Sequence, residues 1–321
     1  MPASNDVPKD LIDFILDGTS FVVVGHEDPD GDCVGSQLAL SSLLRRMGKK
    51  AIPCLTVPFK RTELKPFEKH FLPFPAKQEG LRVLIMDCSD RNRVGDIPID
   101  GLPFAIIDHH ATGEPWGQIA YFDPTASSVS LMVEKLFAVL GEEPTKDEAL
   151  YLLFGICTDT GFFRHLDDNG AETFRTAAKL TAAGANPKEL FDIINGGKPL
   201  GSRLLLGTCL AKTRPFFDGK LLVSDETLEE LDRFGHKSRD SDILYQLLQS
   251  VEGVEAVVLI RQENAEKCTL GFRSRDRIDV SAIAKKFGGG GHLHAAGAKV
   301  YSGNIQELEK KIVEAFGEVF T

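Results

Sequence analysis

Acidic and imidazole side chains form four short clusters in this 321-residue sequence. The first lies in residues 26–32 (HEDPDGD), and the second is a single aspartate, Asp87, that follows an apolar run. The third is Asp-His-His at 108–110, and the fourth is Thr-Asp-Thr-Gly at 158–161. Carboxylate and imidazole ligands without thiolates suit manganese, magnesium or iron. The clusters therefore indicate a metal site.

The number of acids in these clusters argues for more than one ion. Carboxylates gathered in a small volume raise one another's pKa values unless cations neutralise them. One ion rarely uses so many acidic ligands, and a pair of ions about 3.5–4 Å apart is the usual device for cleaving phosphate esters. The residues alone thus predict a metal-dependent phosphoesterase.

Each cluster also has a simpler interpretation when it is taken alone. An aspartate after a strand, such as Asp87, is often only a helix cap or a turn former. The acidic segment 26–32 could be a polar turn, and paired histidines are usually surface or core residues. Four such clusters in one α/β unit favour a functional site.

Short apolar runs precede three of the clusters and predict the strands that position them. These runs lie at 21–25, 83–86 and 104–107. They alternate with helical patterns at 34–47, 128–140 and 146–157. This alternation is typical of an α/β domain with a doubly wound parallel sheet. Ligands bind outside the carboxyl ends of such strands, so we expect the clusters to converge at one rim.

A run of helix and strand breakers at 195–201 (NGGKPLG) marks a change in the chain. We expect a metal-binding domain over 1–195, a linker over 196–215, and a smaller α/β domain over 216–321. The expected active site is a cleft between the two domains. The second domain carries a helical pattern at 243–251, strand patterns at 254–261 and 267–273, and a helix at 279–287 that Asp279 caps.

A glycine run at 288–291 is followed by His292. Consecutive glycines let backbone N–H groups point at an anion, although a flexible hinge is the simpler interpretation. Arg273 and Arg275 could grip a phosphate with two hydrogen bonds each. Arg164 follows Asp159 closely enough to reach the metal site.

The overall composition limits the partners. A net charge of -10 and a pI near 5.4 argue against a protein that coats long nucleic acid. Six scattered cysteines without a CxxC pair fit a reducing cytoplasm. We see no secretory signal and no apolar run near the roughly 20 residues that span a bilayer, so we expect a cytoplasmic protein without a membrane partner.

The order His-x-x-x-Asp-x-Asp, Asp87, Asp-His-His and Thr-Asp-Thr-Gly resembles the DHH phosphoesterase family. The segment from Phe-Arg-Ser-Arg to Gly-Gly-Gly-Gly-His-x-x-Ala-Ala-Gly resembles the DHHA1 domain associated with it. The match covers nearly the whole chain. Within the family it is nearest to the group of oligoribonucleases that also dephosphorylate 3′-phosphoadenosine 5′-phosphate (pAp).

The resemblance implies a role for each motif residue. His110 would contact the scissile phosphate or assist the leaving group, and Asp108 would orient the Asp-His-His turn. Asp87 would bridge two metal ions. The implied metal ligands are His26, Asp30, Asp32, Asp87, His109 and Asp159. The implied nucleotide-binding residues are Arg273, Arg275, Gly290, Gly291 and His292. Arg164 is added as a candidate substrate-binding residue because it lies close to Asp159 in the sequence.

The implied activity is hydrolysis of short oligoribonucleotides and linear dinucleotides to mononucleotides, and of pAp to AMP. Two divalent ions would serve as cofactors, with manganese expected and magnesium or cobalt as alternatives. A cyclic-dinucleotide phosphodiesterase and a non-catalytic nucleotide sensor on the same scaffold are the competing functions. Long duplex nucleic acid is not an expected partner, and the oligomeric state stays open, a homodimer included.

Overall fold

The computed structural model describes residues 7–110, 116–117, 119–168, 170–236, 239–275 and 277–320. The chain divides into two compact units, Met1–Gly197 and Lys198–Thr321, called unit 1 and unit 2 below. Among the described residues, no helix has both the length and the apolar composition that a membrane crossing requires.

Unit 1 is built on a parallel sheet of five strands in the order β2-β1-β3-β4-β5. The strands are β1 (Ser20–Val24), β2 (Lys50–Cys54), β3 (Leu81–Met86), β4 (Phe104–Asp108) and β5 (Ile119–Phe122). The central strands are almost entirely buried, as expected for a parallel sheet covered on both faces. The predicted α/β class and parallel sheet are confirmed.

The described residues of unit 1 also form six α-helices. They are α1 (Lys9–Asp17), α2 (Gly31–Arg46), α3 (Val129–Val139), α4 (Lys146–Asp159), α5 (Ala171–Ala182) and α6 (Pro187–Asn195). Polar side chains at the N-termini set where three of them begin: Asp30 caps α2, Ser128 caps α3, and Thr145 forms a capping box with Glu148 on α4. Two short 3₁₀ turns, Thr62–His70 and Arg91–Arg93, follow β2 and β3.

Two apolar layers hold the sheet from opposite sides. Val23, Leu84 and Ile107 pack with the helical layer, whereas Val22 and Val83 pack in a smaller cluster on the other face. The strand register aligns the ends of β1, β3 and β4, because Val24 pairs with Ile85 and Met86 pairs with Ile107. The loops that follow these three strands therefore leave the sheet at one edge.

Unit 2 contains a mixed sheet of six strands in the order β10-β11-β9-β8-β7-β6. The strands are β6 (Arg214–Phe216), β7 (Leu221–Glu226), β8 (Ala256–Asn264), β9 (Lys267–Ser274), β10 (Gly290–His292) and β11 (Ala295–Val300). Within this sheet, as far as the structure describes it, β7 and β8 pair in parallel and the other neighbouring strands pair antiparallel. The helices are α7 (Leu200–Ala211), α8 (Leu228–Phe234), α9 (Ser241–Gln249), α10 (Val280–Lys286) and α11 (Ile305–Phe320).

The segment 196–215, which the sequence predicts as a linker, is largely helical in the structure. Helix α7 occupies its middle, and Leu205 and Cys209 are buried in an apolar cluster of unit 2. The breaker run reaches into the first turn of this helix, which begins at Leu200 directly after Pro199. The apolar residues beyond the run have a core to pack against. The boundary between the two units in the sequence therefore lies between Gly197 and Lys198, and α7 belongs to unit 2.

Candidate active site

The loop between β1 and α2 supplies the first two side chains of the site. His26 lies two residues beyond β1 and is only 4% exposed. One oxygen of Asp30, Oδ1, accepts hydrogen bonds from the backbone N–H groups of Asp32 (3.1 Å) and Cys33 (3.0 Å) and so caps α2. The other oxygen, Oδ2, lies 4.0 Å from His26 Nε2. Capping thus fixes Asp30 and leaves one oxygen for the site.

Asp87 lies at the centre of the cluster, directly after β3. Its backbone has a left-handed φ of 57°, and its N–H donates to the carbonyl of Ile107 at 2.9 Å. The side chain is 1% exposed. Asp87 Oδ2 lies 3.5 Å from His26 Nε2, and Oδ1 lies 3.8 Å from His109 Nε2. Oδ1 also lies 3.5 Å from His110 Nδ1. One carboxylate oxygen therefore faces His26, and the other faces both histidines of the Asp-His-His turn.

The Asp-His-His turn after β4 is held by its own aspartate. Asp108 Oδ1 accepts from the backbone N–H of His109 (2.7 Å) and of His110 (3.2 Å), and it lies 2.7 Å from His110 Nδ1. His109 Nδ1 lies 3.0 Å from the carbonyl oxygen of Ala126, to which it donates. This bond leaves a lone pair on His109 Nε2, the form of imidazole that binds metals.

Asp32 and Asp159 complete the cluster from two helices. Asp32 is fully buried in the first turn of α2, and its carboxylate accepts from the N–H groups of Val129 (2.6 Å) and Ser130 (2.8 Å) at the start of α3. Asp159 ends α4, with Oδ2 3.3 Å from His109 Nε2. Ligand atoms of Asp32, His109 and Asp159 all lie within 4.8 Å of one another.

The acids in this cluster repel one another, as the sequence predicts. Burial, and then the charges of Asp32 and Asp30, raise the pKa of Asp159 to about 9. Burial and the same two charges raise the pKa of Asp87 well above its ordinary value. Burial also lowers the pKa of His26, which favours the neutral ring. Raised carboxylate pKa values show that the charged forms are destabilised by burial and by one another, and a bound cation would relieve this destabilisation.

The pKa of His110 is shifted in the opposite direction to that of His26. Its hydrogen bond with Asp108 raises the pKa of the imidazole. Burial tends to raise the pKa of Asp108, but the hydrogen bonds from His110 and Ser89 and the charge of His110 together outweigh burial, so the pKa of Asp108 is lowered. The ring is also more open than that of His26, with side-chain exposures of 37% and 5%. A protonated His110 supported by Asp108 can donate a proton outward.

The donor atoms fit a divalent metal. His26 Nε2 and Asp87 Oδ1 are buried and have no hydrogen-bond partner among the described residues. Orphaned polar atoms of this kind are uncommon in folded proteins and call for an explanation. Among the described residues, ligand atoms form three groups, and the atoms within each group lie within 4.8 Å of one another. Asp87 belongs to two of these groups, and His109 also belongs to two. Coordinated cations would satisfy these atoms and offset the carboxylate repulsion.

Cys33 belongs to one of these groups, together with His26 and Asp87. Burial raises the pKa of the thiol well above its ordinary value, so it stays protonated. Since the thiolate is the form that binds metals, this cysteine acts as a small buried side chain. Asp28, also in the first motif, points away from the cluster into an exposed ion pair with Lys60 at 3.2 Å.

Two arginines near the cluster were not predicted. The charges of Arg93 and Arg61 add to burial in lowering the pKa of His26. The loop of Arg93 is attached to the β1–α2 loop, because the carbonyl of Arg93 accepts from the N–H of Glu27 at 2.8 Å. Neither arginine lies in a motif, so only the tertiary structure reveals this proximity.

The predicted nucleotide-binding residues of unit 2 lie on the sheet and just beyond it. The guanidinium of Arg273 on β9 stacks 4.7 Å from the centre of the Tyr245 ring. Arg275 is exposed and lines a pocket of about 310 Å³ with Glu255 and Arg277. In unit 1, Arg164 is exposed, with Nη2 3.2 Å from His165 Nε2.

The glycine run differs from the predicted four-residue anion nest. The N–H groups of Gly288 and Gly289 donate to carbonyls of α10, at 3.0 and 2.9 Å, and so cap that helix. Gly290 and Gly291 continue into β10, which pairs with β11. A Cβ at Gly289 or Gly291 would lie 2.1 or 2.5 Å from a carbonyl oxygen of β11. These two glycines are therefore needed for close packing of the chain.

Two family comparisons agree with this architecture. Residues 20–156 match the N-terminal domain of the DHH family, and residues 219–318 match the DHHA1 domain. The chain is 34% identical over 300 residues to the bifunctional oligoribonuclease and PAP phosphatase NrnA of Thermus thermophilus, covering 93% of this chain and 90% of that protein. It is 29% identical over 292 residues to NrnA of Bacillus subtilis, covering 86% and 88%.

Solved structures share the fold. An exopolyphosphatase-related protein from Bacteroides fragilis superposes with a TM-score of 0.83 at 24% identity, covering 97% of this chain and 96% of that one. RecJ of Thermus thermophilus, solved in complex with Mn²⁺, gives a TM-score of 0.58 at 15% identity, covering 99% of this chain and 56% of that one.

The fold and the acid–imidazole cluster together define a metal-dependent phosphoesterase. The resemblance seen in the sequence is confirmed: this chain belongs to the DHH family and carries its DHHA1 domain.

Proposed function

We propose that this enzyme hydrolyses short oligoribonucleotides and linear dinucleotides to mononucleotides, and converts pAp to AMP. The observation that carries the proposal is the cluster of carboxylates and imidazoles at the carboxyl edge of the unit 1 sheet. Two of its ligand atoms lack a hydrogen-bond partner in the part of the chain that the structure describes. The substrate class is supported by the two NrnA relatives, which align with most of the chain.

Two divalent ions would be held by six side chains, and manganese suits this donor set. Asp87 is proposed to bridge the two ions, because its two oxygens face His26 on one side and His109 on the other. When bound, such a pair supplies an activated water and neutralises charge on the phosphoryl oxygens. The six proposed ligands are His26, Asp30, Asp32, Asp87, His109 and Asp159.

The neighbouring residues prepare the site for this chemistry. The carbonyl of Ala126 holds the proton of His109 on Nδ1 and so keeps Nε2 free for an ion. Asp108 holds His110 through Nδ1, which leaves Nε2 to carry a proton to the leaving oxygen. Asp108 also stabilises the charged ring before that transfer.

The nucleotide-binding role is assigned to Arg164 in unit 1 and to five residues of unit 2. The acidic character of the chain, with a net charge of -10, disfavours long polyanions and supports short substrates. All six cysteines are free and buried, which supports a reducing compartment such as the cytoplasm. The five residues of unit 2 are Arg273, Arg275, Gly290, Gly291 and His292.

A substrate panel with purified enzyme and manganese tests the proposal. Diadenylate, short RNAs and pAp should be hydrolysed, whereas pyrophosphate and long duplexes should not be. Preferred hydrolysis of cyclic dinucleotides would favour the cyclic-dinucleotide phosphodiesterase. Nucleotide binding without turnover at any metal concentration would favour a sensor. Either result would contradict the proposed function.

A further inference from the structure

A pocket of about 400 Å³ opens in unit 1 at the carboxyl end of the edge strand β2. Three segments line it: residues 54–57, which begin with the last residue of β2, residues 71–74, and residues 96–98. These segments lie outside the acidic and imidazole motifs of the sequence. The volume is within the range of about 300–1,000 Å³ that is usual for small-molecule sites in proteins.

The pocket is lined mostly by apolar side chains, and two of them are exposed. Phe71 is buried in the core of unit 1, and Phe74 packs against the apolar cluster on the other face of the sheet. Val57 is 43% exposed and Leu72 is 53% exposed. Exposed apolar side chains that line one pocket, unlike scattered ones, indicate a binding site. Asp96, which is also exposed, adds a carboxylate to the lining.

Two loops connect this pocket to the first motif of the metal cluster. One loop contains Lys60, whose ammonium group pairs with Asp28 at 3.2 Å. The other contains Arg93, whose carbonyl accepts from the N–H of Glu27 at 2.8 Å. A Cβ at Gly95 would lie 2.5 Å from the side chain of Glu27, so this loop packs directly against the first motif. The pocket therefore lies beside the loop between β1 and α2.

Each of the two loops also carries an arginine near the metal cluster. The charges of Arg61 and Arg93 are close enough to lower the pKa of His26. Within the ranges that the structure describes, no carboxylate pairs with either guanidinium. Arg61 follows Val57 by four residues and Arg93 precedes Asp96 by three, so each lies within about 14 Å of the pocket lining. Unneutralised guanidinium groups beside an apolar pocket suit a ligand that joins a flat apolar part to a phosphate.

We propose that this pocket holds the base of a second nucleoside of the oligoribonucleotide substrate. The base packs against Leu72 and Phe74, and the carboxylate of Asp96 accepts a hydrogen bond from an exocyclic amino group of the base. Arg61 and Arg93 attract the adjoining phosphate. The residues assigned in unit 2 take the first nucleoside, so pAp, which has a single nucleoside, does not use the pocket. This inference rests on the proposed function for its substrate class and adds what distinguishes the two kinds of substrate.

The substitution Phe74→Ala tests the pocket with manganese-loaded enzyme. The KM of diadenylate should rise about 5- to 100-fold, the range that the loss of base–aromatic stacking implies. Leu72→Ala should raise it in the same direction by at least about threefold, since it removes part of the apolar surface that contacts the base. In both variants kcat/KM for pAp should change less than about twofold, because pAp does not contact the altered side chain.

Leu16→Ala is the matched control for Leu72→Ala. Leu16 on α1 is 50% exposed and lies outside the pocket, so its loss should leave the KM of both substrates unchanged. Substitutions of exposed side chains have small effects on stability, so Leu72→Ala keeps the test available if Phe74→Ala does not fold.

Asp96→Ala tests the hydrogen bond to the base. This variant should raise the KM of diadenylate but not that of diuridylate, because uracil has no exocyclic amino group. An equal rise for both dinucleotides would contradict the role of Asp96. Unchanged KM values for diadenylate in folded Leu72 and Phe74 variants would overturn the proposal as a whole, as would an equal loss of pAp turnover.

Binding measured without metal separates this result from the proposed function. The dissociation constant of diadenylate is determined by calorimetry with chelated enzyme. Binding that Phe74→Ala weakens, in an enzyme that leaves diadenylate intact with manganese, would support the pocket and contradict the proposed function. Diadenylate hydrolysis with the same KM in the parent and the variants would support the function and overturn the pocket. A parent enzyme that neither binds nor hydrolyses diadenylate would contradict both.

Discussion

The carboxyl edge of the unit 1 sheet and a glycine row of unit 2, in which Gly290 pairs with Gly297 and Gly297 with Gly271, present chemistry in opposite ways. The first crowds charged groups into the interior, where Asp32 and Asp87 are at most 1% exposed. The second removes side chains from a surface, where a Cβ at Gly290 would meet nothing within 4 Å and one at Gly297 would meet a carbonyl oxygen at 3.3 Å. The first region should therefore be sensitive to the loss of a functional group, and the second to the gain of an atom.

The largest expected effect is at the centre of the charged region. Asp87→Ala should lower kcat/KM by at least about 1,000-fold, or about 4 kcal/mol, because both metal positions lose a shared ligand. The metal-free variant should be no less stable than the metal-free parent, since a repelled buried carboxylate has been removed. Turnover and bound metal are measured together.

Asp90→Ala is the matched control for this substitution. Asp90 lies three residues further on, is exposed, and caps the following 3₁₀ turn. Its loss should leave metal content unchanged. Comparable turnover in the Asp87 and Asp90 variants would show that the bridging role is misassigned.

His110→Ala should have the next largest effect. Proton donation by a positioned side chain contributes about 100- to 10,000-fold, so kcat should fall within this range while KM changes little. Substitution of the exposed His165 by alanine provides the comparison at a histidine outside the cluster. A KM effect that exceeds the kcat effect would indicate that His110 binds substrate only.

A smaller effect distinguishes two adjacent glycines of unit 2. Gly291 has φ +149°, and its Cβ would lie 2.5 Å from the carbonyl oxygen of Ala295, whereas Gly290 is open. Gly291→Ala should cost about 2 kcal/mol of unfolding free energy through backbone strain and overlap. Gly290→Ala should be close to neutral in urea unfolding followed by circular dichroism. Equal destabilisation would contradict the described hairpin.

The smallest effect concerns a buried acid that has partners. Burial tends to raise the pKa of Glu148, but hydrogen bonds from Arg46 and Thr145 outweigh it and the pKa is lowered. Its stabilisation is thus present above the unfolded-state pKa and is lost as pH falls through the lower folded-state value. Glu148→Gln should cost about 1–2 kcal/mol at pH 7. The difference from the parent should shrink below about pH 4, near the ordinary glutamate pKa. A pH-independent difference in urea unfolding would contradict this account.

Local patterns in the sequence predict much of the unit 1 scaffold. The apolar runs before the acidic motifs form strands β1, β3 and β4. Their apolar composition predicts them correctly because these strands are buried in the sheet. Strand β2 was not predicted, since Pro53 interrupts its pattern, and the structure tolerates this proline because β2 lies at the sheet edge. Strand β10 was not predicted either, because two of its three residues are glycines, which are uncommon in strands.

Predictions about the site were limited by contacts between distant residues. Convergence of the motifs follows from parallel strands that end together. That Asp32 accepts hydrogen bonds from Val129 and Ser130, nearly a hundred residues away, depends on helix placement and has no local signal. The glycine row likewise depends on the register of three strands, which no single segment specifies.

Metal content measured against turnover tests the central claim most directly. Metal-free enzyme is titrated with manganese while bound ions are counted by native mass spectrometry and diadenylate hydrolysis is followed. The account predicts up to two bound ions per chain, with hydrolysis absent in the chelated enzyme and complete once both ions are bound. Full hydrolysis in the chelated enzyme, or saturating manganese with no ion retained, would contradict it.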